Sequence, residues 1–230
     1  MLPLRDKNVS GKVPYVTYII MAVNIVCFLF FNVLTTKYRV GLFENFGIFP
    51  IRYSRSGLAS QFTLIEQIIP FFSYMFLHAG WLHIIGNMWT LFIFGDNVED
   101  YLGHRGFAVF YILCGMLAGG FHLATNWYSP IPTIGASGAI AGVMGAYLLL
   151  FPHAQILVLV PIFFFVQIVE VPAYVFLGIW FLIQFFYGTV SLGAGAYAGG
   201  VAWWTHIGGF FVGLYIIMLV RRFRYKMIRL

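Results

Sequence analysis

Six apolar stretches, at about 15–34, 82–95, 107–126, 138–151, 173–189 and 201–220, leave this chain few ways to fold. As a helix, about 20 apolar residues cross the roughly 30 Å hydrocarbon core of a bilayer. With 61% hydrophobic and 9% charged residues, soluble packing is excluded as the default. The expectation is an all-α, polytopic integral membrane protein, with six transmembrane helices in one compact bundle. Residues 1–14 form a cytoplasmic segment, 15–220 the membrane domain and 221–230 a basic cytoplasmic tail. The first apolar run is longer than the core of a signal peptide and is read as a retained helix, with no room before it for a transit peptide.

The placement of charge sets the orientation. Arg5, Lys7, Lys12, Arg105, Arg221, Arg222, Arg224, Lys226 and Arg229 fall in segments that six helices put on one side. The other side has only Lys37, Arg39, Arg52 and Arg55, all in one loop. The positive-inside rule then puts both termini in the cytoplasm, and the excess positive charge needs no nucleic-acid partner. Cys27 and Cys114 lie inside apolar runs with no metal-ligand spacing around them, so neither a disulfide framework nor a metal site is expected.

The fourth stretch is the unusual one. Gly138 to Phe151 is uncharged and stops at Pro152; as a helix of about 14 residues it is only about 21 Å long. If its far end sits at one membrane surface, Ser137 lies roughly 10 Å below the other. A hydroxyl at that depth requires a protein-lined, water-filled cavity. Gly138 and Gly142 form a GxxxG on this stretch, as do Gly209 and Gly213 on the sixth. Such pairs let helix backbones approach closely, which would bring Ser137 to His206.

With the N-terminus inside, the second, fourth and sixth helices all begin on the outer side. His83, Asn87, Ser137 and His206 each fall within the first two or so turns of one of these helices, at similar depth. His83 and Asn87 are four apart and share a helix face. A serine becomes a nucleophile when a base takes its proton, and His206 is placed to be that base. Helix N-terminal N–H groups, the Asn87 amide and the His83 imidazole can stabilise an oxyanion. No carboxylate lies near His206 in the outer segments, since Glu44 and Glu66 are in the long loop, which points to a Ser-His dyad. Three other readings stay open: Ser137 as a small packing residue, a haem between His83 and His206, and a polar transport path.

Elsewhere the expectations are plainer. The first helix is a lipid-facing anchor, and the long loop 35–71 lies partly in the interface. Asp96, Glu99, Asp100, His104 and Arg105 form a solvated turn after a helix ending at Gly95. Gly115, Gly119 and Gly120 suit close packing, and His122 is structural. The stretch 156–169, broken by Pro161, is an interfacial or re-entrant connection. Gly188, Gly193, Gly195, Gly199 and Gly200 make a mobile loop before the sixth helix.

The segments Phe76-Leu-His78-Ala-Gly-Trp-Leu-His83-Ile-Ile-Gly-Asn87-Met, Gly135-Ala-Ser137-Gly138 and His206-Ile-Gly-Gly209-Phe-Phe-Val-Gly213 closely resemble the rhomboid family of intramembrane serine proteases. The similarity runs from about Phe71 to Val220. It implies that Ser137 is the nucleophile, His206 the general base, His83 and Asn87 oxyanion stabilisers, and His78, with Gly135 and Gly138, structural support. It also implies substrates that are single-spanning membrane proteins, cleaved in or near the lipid bilayer where helix-breaking residues unwind them, with no cofactor. The fifth helix and the loop after it resemble the family's proposed gate and cap, with Trp180 and Phe181 as packing residues. Some members place an aromatic ring one turn after the serine, against the histidine; here the residue is Ala141, so the imidazole must be supported from elsewhere. The expected location is a prokaryotic cell (inner) membrane, and the oligomeric state is not set by the sequence. A rhomboid-fold binding or quality-control protein without turnover is the alternative.

Overall fold

The computed structural model describes residues 2–162, 165–193 and 201–228. Its centre is a 14-residue helix with no polar face. In chain order, the described elements are β1 (Leu2–Asp6), α1 (Tyr15–Asn32), α2 (Thr36–Phe46), α3 (Pro50–Ser54), α4 (Ser56–Ala59), α5 (Leu64–Ile68), α6 (Pro70–Ser73), a 3-10 turn (Tyr74–Phe76), α7 (Trp81–Leu102), α8 (His104–Thr125), α9 (Ser137–Leu150), β2 (Gln155–Ile162), β3 (Phe165–Pro172), α10 (Ala173–Gly193) and α11 (Trp203–Ile228).

Every residue of α9 from Gly138 to Tyr147 is buried. A helix apolar all round belongs in an interior, and its small residues let α7, α8 and α11 close around it. The approach is tightest against α11. A Cβ on Gly209 would run into the carbonyl oxygen of Gly138, and one on Gly213 into that of Gly142. The glycines of α8 pack closely too, but against side chains from the segment before α7. Met75 fills the space over Gly115 and Ile48 that over Gly119.

Four described helices are long and apolar enough to cross a membrane: Tyr15–Asn32, His104–Thr125, Ala173–Gly193 and Trp203–Tyr225. A fifth span arises if α7 is taken with Leu64–Phe76, to which it is bent by 80°. At 14 residues α9 is shorter than a span. The chain is therefore an integral, multi-pass membrane protein of mostly helical structure, with four to five candidate spans rather than a demonstrated six.

The all-α expectation needs correcting, because three strands form an antiparallel sheet in the order β1-β2-β3. The stretch read as an interfacial or re-entrant connection is the β2–β3 hairpin, paired from Gln155↔Pro172 to Ile162↔Phe165. Its Val, Ile, Leu and Phe residues favour a pleated strand. Pro161 is tolerated because β1 pairs with β2 only between Ile156 and Leu159, so no ladder bond to β1 is lost.

The acidic turn also needs correcting. Helix α7 continues past Gly95 to Leu102, and the connection to α8 is Gly103 alone, with φ +75°. Glu99 is not solvated: it is 1% exposed. Its carboxylate accepts from the N–H groups of Val16 (2.9 Å) and Thr17 (2.7 Å) and from the Thr17 hydroxyl (2.7 Å). It therefore caps the N-terminus of α1, where the orphan donors of a helix need acceptors. Apart from Thr17, Asn24 and Phe28, α1 is mostly exposed, as an anchor would be.

Both described ends of the chain lie at one end of the bundle. Asp6 on β1 accepts from Tyr147 (2.6 Å) on α9 and Asn97 (2.9 Å) on α7, and Lys7 pairs with Glu170 of β3. At the same end, Arg221 and Arg224 of α11 donate to the carbonyls of Leu149 (3.3 Å) and Tyr101 (3.0 Å). The loop 35–71 folds into α2 to α5 and the start of α6. Buried Arg52 organises it, donating to the carbonyls of Asn45 (3.1 Å) and Glu66 (2.7 Å) and lying 3.6 Å over the Phe62 ring.

Candidate active site

At the opposite end of the bundle, α7, α9 and α11 begin. Ser137 is the first residue of α9, and its Oγ lies 2.8 Å from Nε2 of His206, in the first turn of α11. The contact follows from the close α9–α11 crossing, since Gly209 is less than one turn beyond His206. The two residues expected to meet therefore do so.

His83 and Asn87 reach the same place through the loop that leads into α9. Gly135 has φ +121°, a conformation that favours glycine, and a Cβ there would stand 2.6 Å from His83 Nε2 and 3.6 Å from Asn87 Nδ2. Only a bare backbone can pass so close over both side chains. The Gly135 N–H is itself fixed, donating to the carbonyl of Tyr74 (2.8 Å).

His78 sits behind them, buried, in the link between the 3-10 turn and α7. Its Nε2 lies 2.9 Å from Asn87 Nδ2, and its ring packs edge-on to that of His83 at 5.0 Å. An amide nitrogen carries two protons, so one N–H of Asn87 meets His78 and the other stays available. His122 is elsewhere on the wall. It is buried, 2.7 Å from the Thr133 hydroxyl, and ties α8 to the loop before α9.

Two residues of α10 complete the surroundings of His206. Gln184 is buried, with Oε1 2.8 Å from His206 Nδ1. The Trp180 ring lies 6.0 Å from the imidazole at an interplanar angle of 32°. The ring absent at Ala141 is thus replaced from a different helix. Trp180 and Phe181, expected to pack, also meet Phe210 at 5.9 and 5.0 Å. Gln184 was missed by the sequence reading. Its signal was an amide in an otherwise apolar run, one turn after Trp180 and so on the same face. Of the glycines read as a loop before α11, Gly188 and Gly193 are in α10, while Gly195, Gly199 and Gly200 lie outside the described residues.

These groups border a cavity of about 1050 Å³, lined among others by His83, Asn87, Ser137, His206, Trp203 and Thr133. Chemically, the arrangement offers a hydroxyl within proton-transfer distance of an imidazole, N–H donors beside it, and room for a ligand and water.

The profile of the Rhomboid domain matches residues 65–223. The chain is similar to Rhomboid protein 1, mitochondrial, of Saccharomyces cerevisiae, with 31% identity over 116 residues, covering 47% of this chain and 33% of that protein. Similarity to RHOMBOID-like protein 6, mitochondrial, of Arabidopsis thaliana is 38% over 74 residues, 32% of this chain and 24% of the relative. For Rhomboid-related protein 2 of Mus musculus it is 38% over 84 residues, 36% and 26%. The matched segments span at most a third of these relatives' own lengths. The domain match, by contrast, extends over well more than half of this sequence, from α5 into the last turns of α11, and on that ground the chain belongs to the rhomboid family.

Proposed function

We propose that the protein is an intramembrane serine endopeptidase, and the observation that carries the reading is the 2.8 Å contact between Ser137 Oγ and His206 Nε2 inside a membrane-domain cavity. His206 Nε2 takes the hydroxyl proton as Ser137 Oγ attacks the scissile carbonyl. The resulting oxyanion is stabilised by the free N–H of Asn87, by the His83 imidazole and by N–H groups of the first turn of α9. The imidazolium then gives its proton to the leaving amine, and the acyl-enzyme forms. A water, deprotonated by His206, hydrolyses that ester and restores the serine. His78 holds the Asn87 amide, while Gly135 and Gly138 allow the close approaches that the site requires.

The substrates on this reading are single-spanning membrane proteins. A peptide bond inside a helix is shielded, so the segment must unwind before Ser137 reaches it. The proposed topology has six membrane helices with both termini cytoplasmic, which puts the cavity on the outer side. The finer location proposed is a prokaryotic inner membrane. The names of the yeast and Arabidopsis relatives suggest an organelle membrane as the alternative, which fractionation of the source cells decides.

The test is cleavage of a transmembrane reporter in liposomes. Wild type should cut, and Ser137→Ala and His206→Ala should each lose roughly 10³-fold or more. A wild-type protein that neither cuts nor reacts with a fluorophosphonate would overturn the reading in favour of a non-catalytic binding or quality-control role.

A further inference from the structure

The imidazole of His206 has two nitrogens, and only one tautomer can serve as base towards Ser137. Nε2 must present a lone pair, so Nδ1 must carry the proton. Beyond Nδ1, the next link is Gln184 Oε1 at 2.8 Å, and beyond Gln184 it is the carbonyl of Trp180, 3.3 Å from Nε2 of the amide. A backbone carbonyl only accepts. The Gln184 nitrogen therefore donates to Trp180, which turns its oxygen towards His206, and that oxygen in turn requires a donor. Nδ1–H is the donor, and Nε2 is left to accept from the serine hydroxyl. One fixed carbonyl thus sets the direction of three successive hydrogen bonds.

We infer that Gln184 is a positioning residue that holds His206 in its Nδ1–H tautomer, acting as an uncharged third member behind the Ser137–His206 pair. This rests on the protease reading above. In a serine triad the carboxylate fixes the tautomer unambiguously, because it can only accept, whereas an amide can present either end. Here the ambiguity is removed by the Trp180 carbonyl. The site also explains why the third member is neutral. Gln184 is 6% exposed and lies on a helix whose neighbouring residues Phe181 and Phe185 are apolar, where a lone carboxylate would be strongly disfavoured.

The position of Gln184 is itself held. It is one turn from Trp180, whose ring packs on the same imidazole, and one turn from Gly188, whose carbonyl accepts from Trp204 Nε1 (3.1 Å). This face of α10 therefore grips the first turn of α11 at three successive levels. Gln184 does not line the cavity, so it acts on His206 and not on the substrate.

The test uses full-length protein with imidazole nitrogens labelled in histidine, comparing wild type, Gln184→Met and Gln184→Glu, with Ser137→Ala as the inactive control. Methionine keeps the volume and removes the acceptor; glutamate in either protonation state keeps an acceptor for Nδ1–H. In Gln184→Met, kcat should fall roughly 10- to 100-fold with KM unchanged, the loss of one hydrogen bond to a buried group. Its His206 nitrogen signals should change from a single Nδ1–H tautomer to a mixture. Gln184→Glu, neutral in this apolar site with its O–H on the Trp180 carbonyl and its C=O towards Nδ1–H, should keep that tautomer and recover most of kcat. The inference is overturned if Gln184→Met retains the wild-type kcat, or if His206 keeps the Nδ1–H tautomer in that variant. The tautomer is read without turnover, and a wild type as inactive as Ser137→Ala would count against the protease reading instead.

Discussion

Substituting Gly209 by alanine tests whether the α9–α11 crossing sets the geometry of the site. The new Cβ would overlap the carbonyl oxygen of Gly138 and lie 3.4 Å from the Ala118 Cβ. The obstacle is backbone in the first turn of α9, so no rotamer change can relieve it. Restoring a normal carbon–oxygen contact of about 3.3 Å requires the helices to separate by about 1 Å. Because Gly138 follows Ser137 directly, that movement stretches the 2.8 Å contact with His206 to about 3.8 Å, beyond hydrogen-bonding range. Overpacking costs about 1–3 kcal/mol, and the better helix propensity of alanine returns about 1 kcal/mol, so the net loss of stability is about 0–2 kcal/mol. Activity should fall much further, about 100-fold for a 1 Å misplacement of reacting groups. Gly178→Ala in α10, where a Cβ meets nothing within 4 Å, is the matched control and should keep activity. Thermal unfolding in detergent and reporter cleavage in liposomes measure the two effects separately. A Gly209→Ala protein with wild-type activity would refute the claim that this crossing places the hydroxyl on the imidazole.

Two further predictions concern the opposite end of the bundle. Burial raises the Asp6 carboxyl to about 6, with Asp96 adding to the effect and the Tyr147 hydrogen bond opposing it. The folded state thus binds a proton more tightly than the unfolded one, so stability should decline as pH rises from about 4 through about 6 and level off above; after allowance for partial exposure the change is about 1–2 kcal/mol. Asp6→Asn should flatten that slope, and an unchanged slope in denaturation measured across this range would dismiss the assignment. Glu99→Ala should destabilise the protein by about 2–4 kcal/mol by leaving the α1 N-terminus uncapped, with Glu99→Gln losing less. Hydrogen exchange at Val16 and Thr17 reads this directly, and unaltered protection in Glu99→Ala would contradict the cap.

The core of the bundle was legible because its signals are local. Gly138, Gly142, Gly209 and Gly213 announce a close crossing in five-residue windows, and the polar side chains of α7, α9 and α11 fall at helix starts that hydropathy alone locates. What the sequence hid depends on partners far along the chain. The stretch 156–169 is uncharged and β-rich, and such a run is ambiguous between helix and strand until its partners are known. One of these is β1, more than 140 residues earlier. Glu99 looked like surface charge because the amides it caps are 82 and 83 residues away. Gln184 was obscured differently. In an apolar helix a single amide is as readily interhelical glue as anything else, and its aim at His206 depends on the rotation of α10, which periodicity does not fix when nearly every residue is apolar.

The proposed hydrolysis inside a bilayer needs water where lipid would exclude it, and the length of α9 bears on this. At 14 residues the helix is about 9 Å shorter than the hydrocarbon core, so its first turn stands below one face of the membrane whichever way the bundle is inserted. The missing length is occupied by a loop whose polar backbone is satisfied within the protein: Gly135 donates to Tyr74, and Thr133 and Ile48 exchange both bonds of a bridge at 2.7 and 3.0 Å. Irregular backbone at depth is tolerated only where it is so covered or lines a wet cavity, and here it does both. A full-length helix in place of α9 would seal its N–H groups into hydrogen bonds or lift them to the surface. The shortened one leaves its first-turn donors, the Ser137 hydroxyl and about 1050 Å³ of cavity at one level, which is the arrangement that the proposed hydrolysis requires.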